Sequence, residues 1–110
     1  MEMRKMSDVL SVCPQISAAD IPTLKDAGFR TIICNRPDHE EAGQPLFSEI
    51  QAAAGSAGIE VLYLPVISGA MTHENVADFA RALREVQGPV LAYCRSGARC
   101  ANLWSLSQGS

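Results

Sequence analysis

A chain of 110 residues suits a single domain, 1–110, long enough to bury a working core. With 47% apolar residues, a net charge of −3 and no basic run longer than two residues, it reads as an ordinary globular protein, and nucleic acid is a poor fit as its main partner. Its longest apolar runs are strand-length, so no membrane span is expected. The N-terminal MEMRKMSDVL places charges where a secretory leader needs an apolar core, which makes the cytoplasm the expected location.

In chain order, LSVC (10–13) reads as a short strand that could pair with RKM (4–6) as a hairpin. Ser17 with Asp20 forms a capping-box pattern and opens a helix over 18–27, with Pro22 tolerated in the first turn and Gly28 as its stop. TIIC (31–34) is a buried strand, and NRPDHEEAGQP (35–45) a polar loop. Residues 47–57 form a helix with Phe47, Ile50 and Ala54 on one face; Gly58 ends it, and IEVLYLPV (59–66) is the next strand. After a loop, Thr72 caps a helix whose stripe is Val76, Phe79, Ala80, Leu83 and Val86. Gly88-Pro89 stops it, and PVLAY (89–93) is the last strand, followed by a short final helix. Helices alternating with continuous apolar strands predict an α/β fold: a mainly parallel sheet with helices on both faces.

Four cysteines, Cys13, Cys34, Cys94 and Cys100, show no metal-knuckle spacing, so no metal and no cofactor are expected. Cys13 and Cys34 lie in apolar strands and read as small core residues. Cys94 differs. It stands at the carboxyl end of a strand, where parallel α/β sheets bind ligands, and just before a helix N-terminus, whose free amides and dipole favour negative charge. Arg95 and Arg99 add positive charge. Together these should pull the thiol below its free pKa of about 8.5. Gly97 lets the turn curl, so that the amides of Ser96, Gly97 and Ala98 form an oxyanion cradle. Cys100, in the next helical turn, reads as a packing residue or as a resolving thiol for Cys94.

The six residues CRSGAR (94–99) resemble two kinds of loop. Protein tyrosine and dual-specificity phosphatases have one more residue between cysteine and arginine; rhodanese sulfurtransferases often carry the six-residue form seen here. The stretch GFRTIICNRP (28–37), the LPV at 64–66 and PVLAYCRSG (89–97) resemble the phosphatase-like domain family of the β-lactamase-hydrolase-like proteins, over residues 2 to 107. The resemblance implies a protein tyrosine/dual-specificity phosphatase-like fold with a shortened loop. It also marks a departure: Cys100 stands where phosphatase loops favour a serine or threonine that assists the departing thiolate.

The leading expectation is a cysteine-dependent sulfurtransferase. Cys94 attacks a sulfane sulfur donor, carries the sulfur as a persulfide and passes it to an acceptor thiol, while Arg95 and Arg99 hold the anion. The alternative is a phosphatase working through a phosphocysteine. That needs a general acid, and the loop at 65–75 has no aspartate; Glu74 and His73 are the candidates there. A second alternative is a non-enzymatic redox or anion-sensing module in which Cys94 and Cys100 pair. Arg36 could help to hold an anionic substrate or could be a solvated or ion-paired surface residue. Asp38, His39, Glu40 and Glu41 read as a solvated loop. The partners expected are a small anionic substrate and, with so small a core, a second copy in a homodimer.

Overall fold

The structure, a computed structural model, describes residues 2–108. Five strands, β1 (Arg4–Lys5), β2 (Leu10–Cys13), β3 (Thr31–Cys34), β4 (Glu60–Tyr63) and β5 (Val90–Tyr93), form one sheet in the order β1-β2-β5-β3-β4. β1 pairs antiparallel with β2, as the predicted hairpin requires, and every other pairing is parallel. The helices are α1 (Ile21–Asp26), α2 (Phe47–Ser56), α3 (His73–Glu85) and α4 (Ala98–Gln108).

Because side chains alternate along a strand, the parallel strands feed two cores. Leu10, Val12, Ile33, Val90 and Ala92 pack with Phe79, Ala82 and Leu103 of α3 and α4. Ile32, Cys34, Leu91 and Tyr93 pack on the other face with Leu24, Ile50 and Ala54 of α1 and α2. Every residue of β3 and β5 is buried, which explains their unbroken apolar runs. β5 is inserted between β2 and β3, and it leads to α4 on one face whereas its neighbours lead to α1 and α2 on the other. Its carboxyl end is therefore a switch point, where the outgoing chains diverge and leave a crevice.

Three boundaries differ from the sequence reading. The helix expected over 18–27 begins with a 3-10 turn, Ala18–Asp20, before α1; the Ser17 amide donates to Asp20 Oδ2 at 2.9 Å, as the capping pattern predicts. The strand expected over 59–66 is regular only to Tyr63. Leu64 and Val66 still donate to Cys34 O and Asn35 O, but Pro65 has no amide to extend the ladder. Helix α3, capped by Thr72 Oγ1 on the Asn75 amide, ends at Glu85, ahead of Gly88, and Val86 is already extended. Gly28 and Gly58 stop their helices at positive φ (93° and 77°) as expected; Gly88 instead sits against Val9, whose Cγ1 lies 2.8 Å from where a β-carbon would be.

Candidate active site

Residues 94–97 carry the chain from β5 into α4 in a single tight turn. Gly97 makes this possible. Its φ is +91°, and a β-carbon there would lie 3.3 Å from the Cys13 carbonyl carbon, so both the conformation and the packing demand glycine. The curl brings the Gly97 amide to 3.1 Å from Cys94 Sγ. The thiol of Cys100 and the amides of Cys100 and Arg99 lie close enough to that sulfur to favour its charged form.

These donors set the charge state. The Cys94 thiol is pulled from 9.0 to about 5, first by the hydrogen bond from the Cys100 side chain, then, against the opposing effect of burial, by the three amides. Cys100 is pushed well above 9.0 by its burial and by the neighbouring thiolate, so it keeps its proton and remains the donor. All four cysteines are free thiols. Cys94 is only 1% exposed, yet it lines the floor of an open groove of about 810 Å³. The groove's walls include Ile67, Met71, Arg95, Arg99 and Asn102. The sulfur is thus reached from one side only.

The Cys100 thiol and the helix-end amides expected to favour the thiolate are the leading causes of its lowered pKa, and the two arginines credited beside those amides are engaged by acids. Arg99 Nη1 donates to Glu40 Oε2 at 2.9 Å and to Val66 O at 2.9 Å, and its Nη2 reaches Glu40 Oε1 at 3.3 Å. Arg95 is largely exposed and pairs with Glu41 at 3.6 Å. The Ala98 amide is taken by Ser96 Oγ at 3.3 Å, and the amides that favour the charged sulfur belong to Gly97, Arg99 and Cys100.

Arg36 is ion-paired, as one expected reading had it, but buried rather than at the surface, and it borders a hollow next to the groove with Glu40, Glu41, Arg95 and Arg99. It is 2% exposed, with Nε on Glu40 Oε1 at 2.9 Å, Nη1 on Gln15 Oε1 at 3.1 Å and Nη2 on Glu41 Oε1 at 3.2 Å. Its carbonyl accepts the Cys34 thiol at 3.2 Å. The loop read as solvated therefore supplies Glu40, a carboxylate shared by two guanidinium groups. Burial works against its charge, but Arg99 and Arg36 win and hold its pKa below the ordinary 4.5. Glu40 and Gln15 were not expected at the site. The visible signal was an arginine two residues past an apolar strand, with two adjacent acids four and five residues on.

Glu74 and His73 open α3, both exposed. Neither lines the groove over Cys94; His73 lines an adjoining apolar hollow that shares Met71 and Leu106 with it. Among the described residues no His, Cys, Asp or Glu side chains gather as a metal-binding group, and no helix is long and apolar enough to cross a membrane.

Comparison with known proteins fits this geometry. The family model described as beta-lactamase hydrolase-like protein, phosphatase-like domain, matches residues 2–110. The beta-lactamase hydrolase-like protein of Agrobacterium fabrum is 35% identical over 108 residues, which are 98% of this chain and 25% of that protein. The chain thus spans about a quarter of the curated relatives it matches. A crystal structure from Neisseria meningitidis, described as a candidate phosphatase, is 37% identical and superposes with a TM-score of 0.89, covering 94% of this chain and 74% of that one. Pseudomonas aeruginosa TpbA in complex with phosphotyrosine shares the fold at 24% identity and a TM-score of 0.64, covering 86% of this chain and 54% of its own.

Proposed function

Because the chain belongs to the phosphatase-like domain family of the beta-lactamase hydrolase-like proteins, we propose that it is a cysteine-dependent phosphoric monoester hydrolase working through a phosphocysteine. The observation that carries this reading is the sulfur itself: a thiolate at the groove floor, fixed by the Gly97 amide at 3.1 Å and by the Cys100 thiol. The solved relatives described as phosphatases, Neisseria above all, support phosphorus as the electrophile.

In the first step the Cys94 thiolate attacks phosphorus. An S–P bond forms, the P–O bond to the alcohol breaks, and the departing oxygen takes a proton from solvent. Arg95 and Arg99, on the groove wall, stand where charge builds on the oxygens of the transferring group. In the second step water attacks phosphorus, the S–P bond breaks, inorganic phosphate leaves with the water's oxygen, and sulfur departs as a thiolate. The Cys100 S–H donates to that thiolate, in the role a serine or threonine hydroxyl plays elsewhere. Cys100 therefore replaces the missing hydroxyl rather than abolishing its function. The test is release of phosphate from 4-nitrophenyl phosphate, expected for the wild type and lost in Cys94→Ser. Equal hydrolysis by both proteins would remove Cys94 from the mechanism.

Sulfur transfer is the second reading, favoured by one observation: no carboxylic acid or imidazole lines the groove beside Cys94 among the described residues. Sulfane sulfur chemistry needs no protonated leaving alcohol. Cys94 would attack the outer sulfur of thiosulfate and release sulfite, leaving a cysteine persulfide whose terminal sulfur passes to cyanide or an acceptor thiol. Incubation with thiosulfate and cyanide separates the readings. Thiocyanate, with a one-sulfur mass gain on Cys94, supports transfer; neither signal alongside phosphate release supports hydrolysis.

A further inference from the structure

Arg36 is a nearly buried charged side chain, 2% exposed; it does not line the groove over Cys94 but stands at the back of an adjoining hollow that shares Arg95 and Arg99 with it. A guanidinium is tolerated there only when its donors are matched, and each of its three nitrogens has a partner within 3.2 Å. Those partners are informative. Glu40 reaches on to Arg99 at 2.9 Å, and Glu41 reaches on to Arg95 at 3.6 Å. Gln15, the third partner, donates its amide to the Arg95 carbonyl at 3.4 Å. One buried cation is thereby joined to both groove arginines through the Glu40 and Glu41 side chains, and to the backbone of the thiol loop through Gln15, whose main-chain N–H makes that last bond. We propose that Arg36 is a positioning residue: through Glu40 and Glu41 it fixes where Arg99 and Arg95 stand, and so how tightly the groove holds an oxyanion.

The inference rests on the reading of the groove as an oxyanion site. Geometry explains why an arginine is used. Glu40 must present both oxygens to Arg99 in one plane. Arg36 holds that plane from behind with Nε while Nη2 tethers Glu41 and Nη1 tethers Gln15, a fork that a single ammonium cannot reproduce. Without it the Glu40 carboxylate keeps Arg99 as its one cation, the 35–41 loop keeps its contacts through Asn35 and Asp38, and apart from Glu40 Arg99 is fixed by Val66 O at one nitrogen alone.

The experiment compares wild type, Arg36→Lys, Arg36→Met and Glu41→Gln, with tungstate as the probe anion and 4-nitrophenyl phosphate as the substrate. Both Arg36 variants should weaken tungstate binding by about tenfold or more and lower kcat/KM at least as much. The Cys94 titration midpoint should stay put, since its donors lie elsewhere. Nitrogen NMR of the Arg99 guanidinium, taken without ligand, should show a slowly exchanging signal in wild type that averages in Arg36→Lys. A variant that melts earlier but keeps wild-type tungstate affinity and an unchanged Arg99 signal makes Arg36 purely structural and overturns the proposal. If neither Arg36 variant folds, Glu41→Gln, which loosens only the Arg95 branch, should still weaken tungstate binding severalfold; unchanged affinity there also overturns it. Wild type that binds no tungstate defeats the oxyanion reading instead, and the guanidinium signal then decides the positioning claim alone.

Discussion

Replacing Cys100 with alanine tests the main physical claim about the site. The Cys100 thiol is the largest single cause of the lowered Cys94 pKa. A hydrogen bond to a charged group contributes about 1.5–3 kcal/mol, and a pKa unit is worth about 1.4 kcal/mol. Thiols are weak donors, so the lower end applies. Cys100→Ala should then raise the Cys94 midpoint by about one unit, from about 5 to about 6, while the amides of Cys100, Gly97 and Arg99 keep it below a free thiol. Cys100→Ser, a stronger donor of similar reach, should return it to 5 or lower. The assay is the rate of alkylation by iodoacetamide between pH 4 and 8, checked by thiolate absorbance. It must extend below neutrality, because at pH 7 both forms are largely ionised. Cys100 is fully buried, so the alanine variant should also lose about 1 kcal/mol of stability, which a melting curve tracks separately. A midpoint unmoved in Cys100→Ala would refute the reasoning: the amides alone would then hold the thiolate, and Cys100 would be packing only.

Two further outcomes follow from the same geometry. Cys94 has a folded pKa of about 5 against 9.0 for a free thiol, so the unfolded chain carries the extra proton between those values. Its contribution to stability is complete above pH 9, falls as the pH drops and is gone below 5. Melting temperatures measured from pH 5 to 8.5 should therefore climb more steeply in wild type than in Cys94→Ser, and equal slopes would deny the thiolate. Above pH 9 Cys13, pushed up to about 12 chiefly by burial, acts in the opposite sense and stability should decline. Gly97→Ala forces a side chain into the left-handed region and against the Cys13 backbone, at a cost of about 1–2 kcal/mol for the conformation alone, readable by urea unfolding. It should also displace the Gly97 amide and raise the Cys94 midpoint; a variant as stable as wild type with an unshifted midpoint would contradict both roles given to this glycine.

Much of the fold was legible because it depends on local patterns. The apolar runs of TIIC and VLAY are continuous because both faces of β3 and β5 are covered, and Gly28 and Gly58 mark helix ends through a backbone conformation only glycine adopts cheaply. The Cys94–Gly97–Arg99 spacing was legible for the same reason, since a strand-to-helix turn converts spacing directly into position. What was not legible depended on contacts across the fold. Cys100 faces Cys94 because α4 completes a turn just there, and spacing alone could not choose between packing, resolving and donating roles. Glu40 and Arg36 lie in a loop, where a separation of four carries no helical meaning. Only the packing of that loop against Gln15 and Arg99 shows that the arginine is buried and its carboxylates are shared.

The low thiol pKa also determines which step should limit turnover. Lowering a thiol from 9.0 to about 5 raises its ionised fraction at pH 7 roughly a hundredfold. For attack on sulfur, with a Brønsted coefficient of about 0.4–0.5, the same change makes each thiolate a poorer nucleophile by roughly 40- to 100-fold; attack on phosphorus passes through a loose transition state and depends far less on the basicity of the nucleophile. The two effects nearly cancel in attack on a sulfane sulfur, whereas in attack on phosphorus most of the gain in ionised fraction is kept. The low pKa also serves the second step, where a stable thiolate is a good leaving group and the Cys100 thiol lies beside it. Formation has no acid to help the alcohol leave: among the described residues no carboxyl or imidazole lines the groove, and nearby Glu40 is held ionised by Arg36 and Arg99. If the chain is a hydrolase, kcat across a series of phosphate esters should therefore fall steeply as the alcohol becomes more basic, alkyl phosphates should be nearly inert, and rapid mixing with 4-nitrophenyl phosphate should show no burst of nitrophenol. A burst matching the enzyme concentration would mean that breakdown of the intermediate is slow, and would overturn the assignment of Cys100 as the donor that assists it.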